Sequence, residues 1–115
     1  MSAVSTHVLD TVRGEPARGI LVRLERASGG ELELGRGTTD ADGRISDFGV
    51  ASLAAGTYRL VFDTGGYLAA AGAGDEAGSA FFPEVVITFA ADGLRPRYHV
   101  PLLLSPYSYS TYRGS

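Results

Sequence analysis

A chain of 115 residues with a formal charge of −3 is long enough for one hydrophobic core and short for two. It contains no Cys, Lys, Asn, Gln or Trp, which excludes disulfides, thiolate nucleophiles, sulfur-based zinc clusters, Schiff-base lysines and amide-lined oxyanion holes. All ten basic residues are Arg, scattered singly from Arg13 to Arg113, so the basic stripe that nucleic acid requires is missing. No apolar run approaches the length of a bilayer span, and the opening MSAVSTHVLD lacks the basic and apolar regions of a secretion signal. A soluble, cytoplasmic protein without nucleic-acid or membrane partners is expected.

In chain order, short stretches of period-2 alternation are separated by Gly, Pro, Asp and Ser clusters. STHVLD predicts a first strand, closed by a turn at Gly14-Glu15-Pro16. In the next strand Ile20, Val22 and Leu24 share one face, while Leu21, Arg23 and Glu25 share the other. Ser28-Gly29-Gly30 turns into a third strand, and Asp40-Ala41-Asp42-Gly43 precedes a fourth. Tyr58, Leu60 and Phe62 mark a further strand. The Ala-rich Tyr67 to Ala71, between Gly66 and Gly72, predicts a single short helix, followed by a loop from Gly72 to Ala80. Val85, Ile87 and Phe89 resume the alternation. In RYHVPLLL, Pro101 cannot donate to a ladder, so that strand is expected to be interrupted near His99. The Tyr/Ser alternation from Tyr107 to Tyr112 predicts an edge strand suited to pairing with a second subunit. About eight strands and one short helix make an all-β, antiparallel sandwich in a single domain spanning residues 1–115.

Few residues can carry chemistry. Gly72-x-Gly74 lacks the third glycine of a dinucleotide loop, and Asp40-x-Asp42-Gly43 lacks the remaining oxygen ligands of a calcium loop. Two histidines without neighbouring carboxylates give no metal site, and no Gly-x-Ser-x-Gly elbow is present. His7, Arg44, His99 and the terminal Tyr112-Arg113-Gly114-Ser115 remain. A histidine in a small domain is usually a structural or surface residue. Here, alternation turns both His7, with Ser5 on its face, and His99, between Tyr98 and Val100, away from the core. Arg44 leaves a tight turn at a strand start, where a side chain is either held rigidly or simply solvated.

These segments resemble a known family over almost the whole chain. STHVLDTVRGEPARGI, DADGR, GYLAAAG with FFPEVVITF, and RYHVPLLLSPYSYSTYRGS together look like 5-hydroxyisourate hydrolase, with YRGS separating it from the transthyretin carriers. The resemblance implies a transthyretin-like sandwich of eight strands and one helix. It also implies a homotetramer, a dimer of dimers, whose active sites lie between dimers and need no cofactor or metal. The family's catalytic positions fall on His7, Arg44, His99 and Tyr112, with Arg113, Gly114 and Ser115 completing the substrate-binding tail. The implied substrate is 5-hydroxyisourate, whose ring C–N bond is hydrolysed to 2-oxo-4-hydroxy-4-carboxy-5-ureidoimidazoline by water deprotonated at His7 or His99. One departure stands out: the family commonly has His-Tyr-His where this chain has Arg97-Tyr98-His99, and a guanidinium cannot act as a base.

Two other classes compete. A transthyretin-like carrier would use the same channel for a small aromatic ligand, but apolar ligands prefer apolar linings, unlike His7, Arg44 and His99. An adhesive sandwich module would suit Val8-x-Asp10-x-x-x-Gly14-x-Pro16-x-x-Gly19, yet such modules usually sit within longer chains, whereas this one starts at Met1.

Overall fold

The computed structural model describes residues 3–27, 32–72 and 80–115. Strand β1 (Val4–Asp10) is followed by β2 (Glu15–Pro16), β3 (Leu21–Arg26), β4 (Leu32–Thr38), β5 (Arg44–Ile45) and β6 (Gly56–Phe62). Helix α1 (Thr64–Ala70) then leads to β7 (Val85–Ala91), β8 (Tyr98–His99), β9 (Leu102–Leu104) and β10 (Tyr109–Thr111). Two sheets result. In the first, β1 is the hub: β2 and β5 pair antiparallel along one edge, β8 and β9 pair parallel along the other, and β10 lies outside β9. The second sheet runs β4-β3-β6-β7 and is antiparallel throughout.

The alternation read from sequence is the packing rule. Val4 and Val8 of β1, with Leu102 and Leu104 of β9, meet Val22 and Leu24 of β3, Leu60 and Phe62 of β6, and Val85 of β7 in one buried cluster. Each such side chain contributes about 1.5–3 kcal/mol relative to its exposed form. The buried Thr39 hydroxyl is satisfied, donating to the Ala17 carbonyl at 2.8 Å and accepting from Ile20 N at 2.9 Å.

Several local expectations need correction. The sheet is not antiparallel everywhere, because β1 runs parallel to β8 and β9; such pairing needs a long crossover, here supplied by the second sheet and helix. The first turn ends at Gly14, whose φ is +68°, and Glu15–Pro16 already pair with Leu9 and Asp10. The helix begins at Thr64 rather than Tyr67, despite Gly65 and Gly66. Tertiary contacts override their poor propensity: Thr64 Oγ1 donates to Phe82 O at 2.7 Å, and Gly65 N donates to Pro83 O at 2.9 Å. Gly72, at φ +75°, follows the helix end as expected. The Ser28-Gly29-Gly30 turn and most of the Gly72 to Ala80 loop lie outside the described residues.

At the end of β1, the Asp10 carboxylate accepts from Val12 N and Arg13 N at 3.0 Å each and from the Tyr67 hydroxyl at 2.7 Å. Burial raises the Asp10 pKa, but the Tyr67 bond and the two amides outweigh it and hold the carboxyl below its ordinary value. Tyr67 is pushed up to about 12, first by burial and then by Asp10. Tyr67→Phe is expected to cost about 1.5–3 kcal/mol at pH 7, the range for a hydrogen bond to a charged group. Because the folded pKa of Asp10 is depressed, that stabilisation is present above the unfolded value of 3.8 and lost as pH falls through the folded value. Urea unfolding of both proteins at pH 7 and pH 3 measures this; an equal deficit at both would remove the charge from the explanation.

Candidate active site

Three strands gather the functional side chains at one end of the first sheet. In β1 the core takes Val4, Thr6 and Val8, which leaves Ser5 and His7 on the opposite face. On one side the antiparallel β5 aligns Arg44 with His7, and on the other the parallel β8 aligns His99 with Ser5. Paired residues share a face, so Arg44, His7, Ser5 and His99 lie side by side across β5, β1 and β8. The tail adds the next row: Gly114 N donates to His99 O at 2.8 Å in an isolated antiparallel bridge. Pro101 interrupts the strand after His99, as its missing donor predicts, and Thr111 Oγ1 caps its carbonyl at 2.7 Å.

Each anchor has a local cause. The Asp40 carboxylate accepts from Asp42 N at 2.9 Å and Arg44 N at 3.0 Å, so the turn delivers Arg44 in a defined place. Gly43 sits at φ +73° against the Val8 carbonyl, a position that only glycine fills without strain. Ser5 Oγ lies 2.8 Å from His99 Nδ1, and Thr6 Oγ1 donates to Val100 O at 2.6 Å, binding β1 to the His99 segment. Burial lowers the His99 pKa most, followed by the electrostatic influence of Arg44 and then of His7, while the Ser5 backbone opposes them. His99 is therefore a neutral imidazole at pH 7.

These groups border a cleft of about 460 Å³ whose wall includes Ser5, Arg44, His99, Arg113, Gly114 and Ser115. Of the seven candidate site residues read from sequence, five thus converge in one chain, joined by Arg97. His7 is aligned with Arg44 and acts electrostatically on His99 without lining the cleft. Tyr112 is 58% exposed and also lies outside the lining. Sequence reasoning did not find Arg95 or the role of Ser5. Ser5 could be placed on the His7 face by alternation, but its contact with His99 spans 94 positions and needs the parallel pairing of β1 and β8. Among the described residues, no group of three His, Cys, Asp or Glu could hold a metal ion, and no helix is long and apolar enough to cross a membrane.

His99, its pKa lowered toward the neutral form, and Arg44, which has no carboxylate within ion-pair distance among the described residues, line one cleft of a β-sandwich, the combination of base and cation that water-based hydrolysis requires. Comparison with known proteins supplies the family. The model of the HIUase/Transthyretin family matches residues 4–114, and the chain belongs to that family. The 5-hydroxyisourate hydrolase of Caulobacter vibrioides is 46% identical over all of both chains. That of Mus musculus is 42% identical over 99% of this chain and 96% of its own. Among solved structures, Klebsiella pneumoniae 5-hydroxyisourate hydrolase is similar with a TM-score of 0.83 at 39% identity, covering 99% of this chain and 100% of that one. Sea bream transthyretin, solved in complex with thyroxine, has a TM-score of 0.86 at 31% identity, covering 97% of this chain and 94% of its own.

Proposed function

We propose that this protein is a cytoplasmic 5-hydroxyisourate hydrolase, opening a ring C–N bond to give 2-oxo-4-hydroxy-4-carboxy-5-ureidoimidazoline in urate breakdown. The observation that carries it is His99, its pKa lowered toward the neutral form, together with Arg44 in a cleft bordered by the tail residues Arg113, Gly114 and Ser115. Backbone similarity does not discriminate hydrolase from carrier, since the TM-scores are 0.83 and 0.86. Sequence does, with 39–46% identity to hydrolases against 31% to the thyroxine-bound transthyretin.

In the proposed reaction Ser5 Oγ accepts from His99 Nδ1–H, which leaves Nε2 free to take a proton from water. The water oxygen bonds to the ring carbonyl carbon, and Arg44 stabilises the negative charge that develops on the carbonyl oxygen, an effect of about 3 kcal/mol. The C–N bond then breaks, the departing nitrogen takes the proton from the His99 imidazolium, and the carbonyl carbon leaves as a carboxylic acid. His7, paired with Arg44 across β1 and β5, flanks that guanidinium on the same face. Tyr112 completes the pocket by hydrogen bonding when a neighbouring protomer covers the cleft. A homotetramer built as a dimer of dimers fits two features: among the described residues β7 and β10 each pair with a strand on one side only, and Phe81 and Tyr107 form an exposed aromatic pair with ring centres 6.0 Å apart.

Spectroscopic decay of freshly generated 5-hydroxyisourate tests the activity directly: a rate well above the spontaneous one, proportional to protein concentration, is expected. Thyroxine binding with no acceleration of decay would establish the carrier instead.

A further inference from the structure

Arg44, Arg95, Arg97 and Arg113, drawn from three separate stretches of the chain, all line the same cleft. Arg95 has a partner, Asp92, at 3.7 Å. Among the described residues no carboxylate lies within ion-pair distance of Arg44, Arg97 or Arg113, whereas Arg13, Arg23 and Arg36 all face carboxylates. Unpaired like charges gathered in a concavity repel one another and focus a field that attracts anions. The segment carrying Arg97 is braced: Asp92 Oδ1 accepts from Leu94 N at 2.8 Å, Arg95 N at 3.2 Å and the Tyr98 hydroxyl at 2.8 Å. Pro96 restricts the backbone just before Arg97. Arg97 is not among the charges that act on His99, so its role is separable from that of the base.

We propose that Arg97 is a specificity-determining residue that captures the ring substrate as an anion at the cleft, setting KM rather than kcat. This rests on the hydrolase function proposed above. Oxidised purine rings carry N–H groups flanked by carbonyls and ionise readily, and opening the amide creates a carboxylate. Both substrate and product therefore match an unpaired guanidinium. A rim charge of this kind acts mainly on encounter and on salt dependence.

The experiment compares the parent protein, Arg97→Gln and Arg97→Lys at low and high ionic strength, and measures urate binding to each by calorimetry. For Arg97→Gln, KM rises about 3- to 10-fold with kcat held within about twofold, and the ionic-strength dependence of kcat/KM weakens. Arg97→Lys restores the salt dependence, and the acid limb of the pH profile stays in place in both. Unchanged KM and salt dependence, or a fall in kcat alone, would overturn the proposal. If the parent protein has no hydrolase activity, the function proposed above fails, and calorimetry still decides this one. Weaker urate binding by Arg97→Gln then retains the anion site, and equal binding removes it.

Discussion

Replacing His99 with Asn is expected to lower kcat by about 10²- to 10⁴-fold, the usual contribution of a positioned general base. Asn is smaller and keeps a polar group near Ser5 Oγ, so the parallel pairing of β1 and β8 and the core beneath it should persist. Thermal unfolding should then stay close to that of the parent while activity collapses. The pH profile provides a second, independent reading. In the proposed reaction His99 works as a base only when neutral, so activity should fall as pH drops through its pKa. Burial, Arg44 and His7 hold that pKa below the ordinary 6.5, so the acid limb of kcat/KM should have its midpoint below 6.5. Removing the positive charge in Arg44→Gln should move that midpoint upward and lower the rate, because in the proposed reaction one side chain both depresses the base and stabilises the oxyanion. A limb at or above 6.5 in the parent, or full turnover by His99→Asn, would transfer the base role away from His99.

Gly114→Ala should be nearly as damaging, although it adds one methyl group at a half-buried position of the tail. A Cβ at Gly114 would stand 2.5 Å from His99 Cδ2 and 3.2 Å from its Cγ, so the imidazole must move. The ring sits between the tail on one side and Ser5 on the other, and displacement separates Nδ1 from Ser5 Oγ. A misplacement on the order of 1 Å can reduce activity about 10²-fold. In the proposed reaction Gly114 positions His99, and such a role has a signature that a merely structural one lacks. The displaced ring gains solvent, and the acid limb should shift up toward 6.5 as kcat falls. Wild-type turnover with an unshifted limb would show that the tail packs differently against β8.

The two-sheet architecture was legible because burial on one face of a strand imposes period-2 alternation. Ile20, Val22 and Leu24 or Tyr58, Leu60 and Phe62 announce their inward faces without any partner in view. The Asp40 to Gly43 turn was legible for a similar reason, since its hydrogen bonds close within five residues. The helix start was not, because the groups that hold Thr64 and Gly65 belong to Phe82 and Pro83.

Sequence by itself determined the core pattern, the shortage of catalytic side chains, and the outward orientation of His7 and His99, all consequences of residue type and local periodicity. Only the tertiary structure decided which of those residues meet. Ser5 reaches His99 because two distant segments run parallel; Arg44 reaches His7 because β5 pairs with the other edge of β1. Gly114 reaches His99 because the tail returns beside β8, and arginines dispersed along the chain converge on one cleft. Each of these contacts joins groups remote in the chain, and no local rule of spacing records the strand order that brings them together.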